Sequence, residues 1–327
     1  MTMNSSRDGR SRGSLARLIG TLIGVSLLVY LLSRQGWTEI VAAIRQIPLT
    51  SFALACGFMF VSRLAVCARW YALLRSSGTG VNFPTATKLT FAGLFAANFL
   101  PTTIGGDVVR LAGVMRISQE RATCAASIVV DRLVGMAGMA TAAPIGLVKL
   151  VGWLIPETTP SVTNVLASGA LARLPGLKGG GRLAEWIRKA VRRMVELFDL
   201  WVHRPAALLE AYGYTWVHML CLFLLMWLLL RGMGEGISFW LTAGLWSLTY
   251  FITLVPFSIN GLGIQELTAA FIFSQFGGVS AASSLTLGLL IRTLGMAASL
   301  PGALFISETL SGVTAEERPS APHSAPE

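Results

Sequence analysis

The chain writes the same interruption twice. Pro101-Thr102-Thr103-Ile104-Gly105-Gly106 closes one apolar stretch and Pro256-Phe257-Ser258-Ile259-Asn260-Gly261 closes another, both with the pattern P-x-x-I-x-G. Each is followed by an arginine inside an apolar segment with the pattern R-x-x-G-M-A, at Arg132-Leu133-Val134-Gly135-Met136-Ala137 and at Arg292-Thr293-Leu294-Gly295-Met296-Ala297. The interval from proline to arginine is 31 residues in the first copy and 36 in the second. Proline removes a helical hydrogen bond and glycine relaxes the backbone, so each copy predicts a helix broken inside a hydrophobic stretch. Broken segments in corresponding positions of two halves mark a repeat-built membrane transporter, whose site forms where the helices break. The expected fold is all-α: a polytopic helical membrane protein with two inverted-type repeats and broken or re-entrant helices.

Composition agrees. Of 327 residues 54% are hydrophobic and only 13% charged, too little polar surface to coat a soluble globule. Apolar runs approaching the ~20 residues that span a bilayer lie near 15–33, 50–74, 87–106, 122–153, 213–230, 237–257, 263–279 and 283–306. The run at 263–279 is short and glycine-bounded, which suits a re-entrant segment. The first run follows Arg7, Arg10, Arg12 and Arg17 and continues into Arg34 without a small-x-small cleavage site, so it reads as a retained signal anchor. Cys56, Cys67, Cys124 and Cys221 all lie in apolar segments and show neither a disulfide framework nor metal-ligand spacing. No metal or cofactor is expected.

Residues 1–13 and 308–327 are polar tails, expected to be disordered, and 14–307 form one membrane domain. Its largest polar insert, 154–212, leads into a basic amphipathic helix over about 182–204. Leu183, Trp186, Ile187, Ala190, Met194, Leu197 and Trp201 mark one side of it, and Arg188, Lys189, Arg192 and Arg193 the other. Such a helix suits an anionic membrane interface, with its tryptophans turned into the lipid. The formal charge of +10 falls on residues flanking apolar segments, so anionic lipid headgroups are the expected partner, and nucleic acid is not. The arginines before the first span, Arg69 and Arg75 after the second, and the basic helix all place the N-terminus in the cytoplasm. Arg110, Arg116 and Arg121 stay on that side when 87–106 dips in and returns. The stretch 122–153 must then cross twice, divided at Pro144, or once with help from the weakly apolar 160–174.

Charged groups at membrane depth each cost ~2.5–3.5 kcal/mol on insertion scales and persist with a partner or a task. Asp131, Arg132 and Arg292 lie deep in their segments. Two readings stand side by side: Asp131 and Arg292 form a buried ion pair joining the halves, or Arg132 and Arg292 offer guanidinium forks to a phosphate in a wet cavity. The segment Asn98 to Arg110 reads as a helix ending near Pro101, a polar turn, and a new helix from about Asp107. Gly105 and Gly106 allow a close approach, and Asp107 is an N-cap, a functional acid, or both. Asn260, Gly261, Gly263 and Glu266 repeat the arrangement, with Glu266 either compensating the helix dipole or pairing with Arg292 or Arg132. Arg63, in mid-span, is read as pairing with a helix-end carbonyl or as functional, and Arg69 and Lys149 as snorkelling. His203, His218 and His323 are scattered, which leaves Asp107 and Glu266 as the only candidates for acid/base chemistry, and no P-loop occurs.

N-F-L-P-T-T-I-G-G-D-V-V-R, A-A-S-I-V-V-D-R-L-V-G, P-F-S-I-N-G-L-G-I-Q-E and L-L-I-R-T-L-G, in that order and spacing, resemble the lysylphosphatidylglycerol synthase transmembrane region family, the flippase-like domain proteins. The resemblance covers roughly 15–306 and matches at Asn98, Pro101, Gly105, Gly106, Asp107, Arg110, Asp131, Arg132, Pro256, Gly261, Gly263, Glu266 and Arg292. It implies a multi-pass plasma-membrane protein of bacterial or archaeal type, associated in two-domain members with flipping an aminoacylated phospholipid. The chain ends about twenty residues after its last apolar run, so the aminoacyl-transfer domain is not expected and the synthase activity is not carried over. Other stand-alone members are associated with hopanoids or lipid-linked sugars. The leading expectation is a non-enzymatic translocase for an anionic or aminoacylated phospholipid or a lipid-linked sugar. The alternatives are a non-transporting subunit of an envelope lipid or glycan biosynthesis complex, with an envelope enzyme as partner, and a membrane enzyme acting on a lipid.

Overall fold

The computed structural model describes residues 37–99, 105–154, 203–254 and 262–310, together with 26, 29 and 201, and these are almost entirely helical. Ten α-helices are found among them: α1 (Trp37–Gln46), α2 (Leu49–Ser76), α3 (Phe83–Phe99), α4 (Gly105–Ile117), α5 (Arg121–Leu154), α6 (Pro205–Gly232), α7 (Phe239–Thr253), α8 (Ile264–Gly277), α9 (Ala281–Ser299) and α10 (Ala303–Leu310). A 3₁₀ turn, Leu300–Gly302, joins the last two. Among the described residues, four segments are long and apolar enough to cross a membrane: Leu49–Ser76, Arg121–Gly152, Pro205–Gly232 and Ala281–Ile306. The chain is a multi-pass membrane protein.

The element order repeats. A 28-residue helix, a pair of shorter helices and a further long helix form one unit, α2 to α5, and the same sequence recurs as α6 to α9. Proline opens α6 at a position where its missing N–H costs nothing, and serine side chains cap α7 and α9, Ser238 accepting from Leu241 N and Ser280 from Ser283 N. Gly278, left-handed at φ +64°, closes α8. The two 28-residue helices run antiparallel: Arg75 meets Glu210 at one end, Ser62 meets His218 midway, and Gly232 rests on Ile47 and Pro48 at the other. At the centre lies α6, whose Phe223, Leu225, Met226, Leu229 and Leu230 are fully buried.

In each unit the two short helices pack antiparallel, and the link between them lies outside the described residues. In the first, α3 and α4 touch backbone to backbone, since a Cβ on Gly93 would lie 2.7 Å from the Gly106 carbonyl oxygen. In the second, the end of α8 returns to the start of α7, since a Cβ on Gly277 would lie 3.2 Å from Ile237 Cδ1. The hairpins then dock across the repeat. Helix α7 crosses α5 where Gly244 faces Gly146, and α3 packs on the end of the second unit where Gly302 meets Phe91. Small residues at these crossings let backbones approach where no side chain fits.

Four expectations are corrected. The stretch 122–153 is not divided at Pro144: α5 runs unbroken through it as one 34-residue helix, because α7 packs against it there through Gly146 and the hydrogen bond lost to proline is local. Trp201 is not turned toward lipid. It is fully buried between Leu73 and Ala211, its Nε1 donating to Ser76 Oγ at 3.1 Å. Arg69, expected to snorkel, is buried, because α2 continues beyond it to Ser76. The first apolar run apart from 26 and 29, the basic helix over 182–200, the 160–174 segment, residues 1–13 and residues 311–327 lie outside the described residues, while 308–310, expected to belong to a disordered tail, end helix α10.

Candidate functional site

Each hairpin returns an acid to the arginine of its own unit. Asp107 and Glu266 are both the third residue of the returning helix, α4 or α8. Arg132 grips Asp107 with two bonds, Nε to Oδ2 and Nη2 to Oδ1, both 3.0 Å. Arg292 Nε donates to Glu266 Oε1. The two pairs differ in exposure: the side chains of Arg132 and Asp107 are 60% and 24% accessible, those of Arg292 and Glu266 15% and 1%. The first pair therefore stands at an opening and the second is enclosed.

Helix α2 contributes two more arginines, and each lies against the glycine of an R-x-x-G motif. A Cβ at Gly135 would come within 3.0 Å of Arg69 Nη1, and one at Gly295 within 3.1 Å of Arg63 Nη2. Arg69 is satisfied by Asp131, donating from Nε to Oδ1 at 2.7 Å. Asp131 is fully buried and also accepts from Arg110 Nη2 at 3.1 Å, so two guanidinium groups share one carboxylate. Arg110 stacks 4.1 Å over the ring of Trp70, whose indole N–H donates to Ser127. This arrangement supplies the π face and the carboxylate that a buried guanidinium needs.

Between these pairs lies a cavity of about 330 Å³, lined by Arg63, Arg69, Arg110, Arg132 and Arg292 and by Asp107 and Asp131. Five positive groups against two negative ones leave a formal excess of three, and Glu266 behind Arg292 brings it to two. His218, Tyr250, Trp246 and Gln265 complete much of the polar wall, with His218 Nδ1 hydrogen-bonded to Ser62 Oγ at 2.7 Å. Such a chamber suits a compact anion, since the low surrounding dielectric strengthens attraction to the arginines.

The structure brings Asn98, Gly106, Asp107, Arg110, Asp131, Arg132 and Arg292 to the cavity wall. Asn98 donates to Ser299 Oγ at 3.0 Å and so ties the first hairpin to the end of α9. Gly105 opens α4, and Gly106 is used for the packing on Gly93. Gly263 adopts φ +77° before α8, and Glu266 reaches the site through Arg292. Pro101, Pro256, Asn260 and Gly261 lie outside the described residues. The expected Asp131–Arg292 pair is not formed: Asp131 is taken by Arg69 and Arg110, and Arg292 by Glu266. Asp107 lies inside the first turn of α4 and turns its carboxylate to Arg132 in place of capping. Among the described residues Arg63 meets no helix-end carbonyl. Sequence reasoning missed the roles of Arg69, Trp70 and His218, although two arginines, Arg63 and Arg69, within one apolar run were a readable signal of charges kept at depth.

No curated protein matches the chain. Residues 17–302, most of the chain and all of both units, match the family described as the lysylphosphatidylglycerol synthase TM region. The doubled hairpin, the arginine-lined cavity and this match over nearly the whole described fold make the chain a member of the lysylphosphatidylglycerol synthase transmembrane region family.

Proposed function

We propose that the protein is a lipid translocase: an anionic headgroup enters the arginine-lined cavity while its acyl or isoprenyl chains stay in the bilayer. The observation that carries this is the cavity itself, a partly open space with excess positive charge between helices otherwise apolar enough to span lipid. Charged groups at that depth are retained for a partner or a task, and here the cations outnumber the protein's own acids. Arg132 and Asp107, the accessible pair, form the entrance. An incoming phosphate competes with the Asp107 carboxylate for the same guanidinium fork.

The substrate class in this reading is an anionic or aminoacylated phospholipid or a lipid-linked sugar, moved without covalent change. The antiparallel course of α2 and α6 supports treating the two units as inverted copies, which offer the headgroup equivalent surroundings from either face. Arg75, Arg116, Arg121 and Arg204 gather at the face where α2 and α4 end and α5 and α6 begin. By the positive-inside rule that face is cytoplasmic, and we place the protein in the plasma membrane.

The test is headgroup movement in proteoliposomes, with fluorescent phospholipids and a polyprenyl-phosphate sugar offered separately. Movement of one class, with the lipid recovered chemically unchanged and the activity lost in Arg132→Gln, is the expected result. Wild-type movement by a well-folded Arg132→Gln protein removes that residue from the mechanism, and a covalently altered product replaces the translocase reading with an enzymatic one.

A further inference from the structure

The two R-x-x-G-M-A motifs differ in the residue just before the arginine: Asp131 in the first, Ile291 in the second. That difference falls at a place the structure makes informative. In the first unit, α2 lays Arg69 over Gly135, and Asp131, one helical turn before that glycine, neutralises it. In the second unit, α2 lays Arg63 over Gly295, and the residue one turn before is Ile291, which has no charge to give. No described residue forms a hydrogen bond or ion pair with Arg63, and its Nε is sealed from solvent without a partner.

Arg63 and Ile291 both line the cavity. The protein thus builds the same seat for an arginine twice and omits the carboxylate once, on the side that faces the positive cavity. A guanidinium whose Nε is sealed from solvent without a counter-charge is unfavourable, and the omission has a use if an external anion supplies the missing charge. We propose that Arg63 is the anchor of an anion-binding site, in which a phosphate group takes the place that Asp131 takes beside Arg69. This rests on the translocase reading for its ligand, the phosphate of a lipid headgroup. Free phosphate presents the same chemistry and is separated from the lipid by the test.

The test uses the full chain, purified in detergent and titrated by calorimetry with a short-chain phosphatidylglycerol, with inorganic phosphate, and with a short-chain diacylglycerol that lacks the phosphate. Two variants address the anchor from opposite sides. Arg63→Gln removes the cation, and Ile291→Asp restores the internal carboxylate, closing the site with a charge of the protein's own. Both should weaken phosphatidylglycerol binding by about 10- to 100-fold, the loss expected for one charge-assisted interaction, while diacylglycerol shows no binding that either variant changes.

Arg63→Gln should not lower the unfolding temperature, because it removes an uncompensated buried charge. Should Ile291→Asp fail to fold, Gly295→Val, which presses on the Arg63 guanidinium, gives the same reading. Inorganic phosphate binding as tightly as the lipid, with both lost in the variants, supports the site and makes a free oxyanion its ligand. Equal binding by wild type and both variants, or no binding of either phosphate probe by wild type, overturns the proposal. Variants that bind weakly beside a wild type that moves no lipid leave the anchor standing and remove the translocase. Variants that move lipid at the wild-type rate do the reverse.

Discussion

Arg69 and Asp131 meet at 2.7 Å across the α2–α5 contact, with the acid fully removed from solvent. Because Arg110 draws on the other oxygen of the same carboxylate at 3.1 Å, and reaches Asp107 only at 3.5 Å, Asp131 is the nearer counter-charge of both buried cations. Three helices, α2, α4 and α5, are fastened through it. The pair therefore shapes the cavity, and the hairpin arm α4 is held to the bundle by the same bond that keeps Arg110 off the ligand.

Asp131→Asn should be the most damaging substitution in the site. It leaves the Arg69 guanidinium buried without a counter-charge and Arg110 with only the longer contact to Asp107, and breaking a buried pair in this way typically costs about 3–5 kcal/mol. Thermal unfolding of the purified variant checks it, with a large fall in midpoint or loss of folded material expected. A variant that melts with the wild type shows that Arg69 and Arg110 do not depend on Asp131.

The Arg132–Asp107 pair should behave in the opposite way. Its arginine is 60% accessible, and exposed pairs contribute about 0–1 kcal/mol. Asp107→Asn and Arg132→Gln should each leave the unfolding midpoint nearly unchanged. Arg132→Gln should abolish headgroup movement in proteoliposomes, and Asp107→Asn, which frees the guanidinium for a phosphate, should tighten lipid binding. A large stability loss in either variant would make the pair structural.

Much of this arrangement was legible in the chain. The doubled break fell between two short helices in each unit, α3 and α4 or α7 and α8, and the doubled R-x-x-G-M-A marked Arg132 and Arg292, which pair with the acids of α4 and α8. The partners were not legible. Asp131 lies next to Arg132 in sequence, yet its side chain leaves the helix about 100° away and faces α2, where Arg69 waits. Which acid meets which arginine depends on crossings set by Gly93, Gly106, Gly146 and Gly244, and a glycine's use as a contact surface is invisible until the second helix is in place. Pro144 misled for a related reason: the tertiary contact beside it outweighs its local preference.

The crossing of α5 and α7 gives a prediction independent of charge. A Cβ on Gly244 would lie 2.5 Å from the Gly146 amide nitrogen, closer than real contacts allow. Gly244→Ala should force the helices apart at a cost of about 1–3 kcal/mol, and Gly244→Val more. Thermal midpoints of the two variants, read beside Gly152→Ala where no atom lies within 4 Å, check this. Equal midpoints for all three would mean that the crossing yields without cost.

The last prediction concerns movement. Asn98, near the end of α3, donates to Ser299 at the end of α9, a hydrogen bond between short side chains that adds to the packing of Phe91 on Gly302. If a headgroup passes between the units, this contact must open during each passage. Cysteines at both positions, in a background with Cys56, Cys67, Cys124 and Cys221 replaced by alanine or serine, can be joined by a short bifunctional methanethiosulfonate, whose disulfide links are reducible. The crosslinked protein should bind phosphatidylglycerol but stop moving it, and reduction should restore movement. Undiminished movement in the fully crosslinked protein would mean that the first hairpin and α9 travel as one body, and the opening would then have to be sought at the accessible Arg132–Asp107 pair.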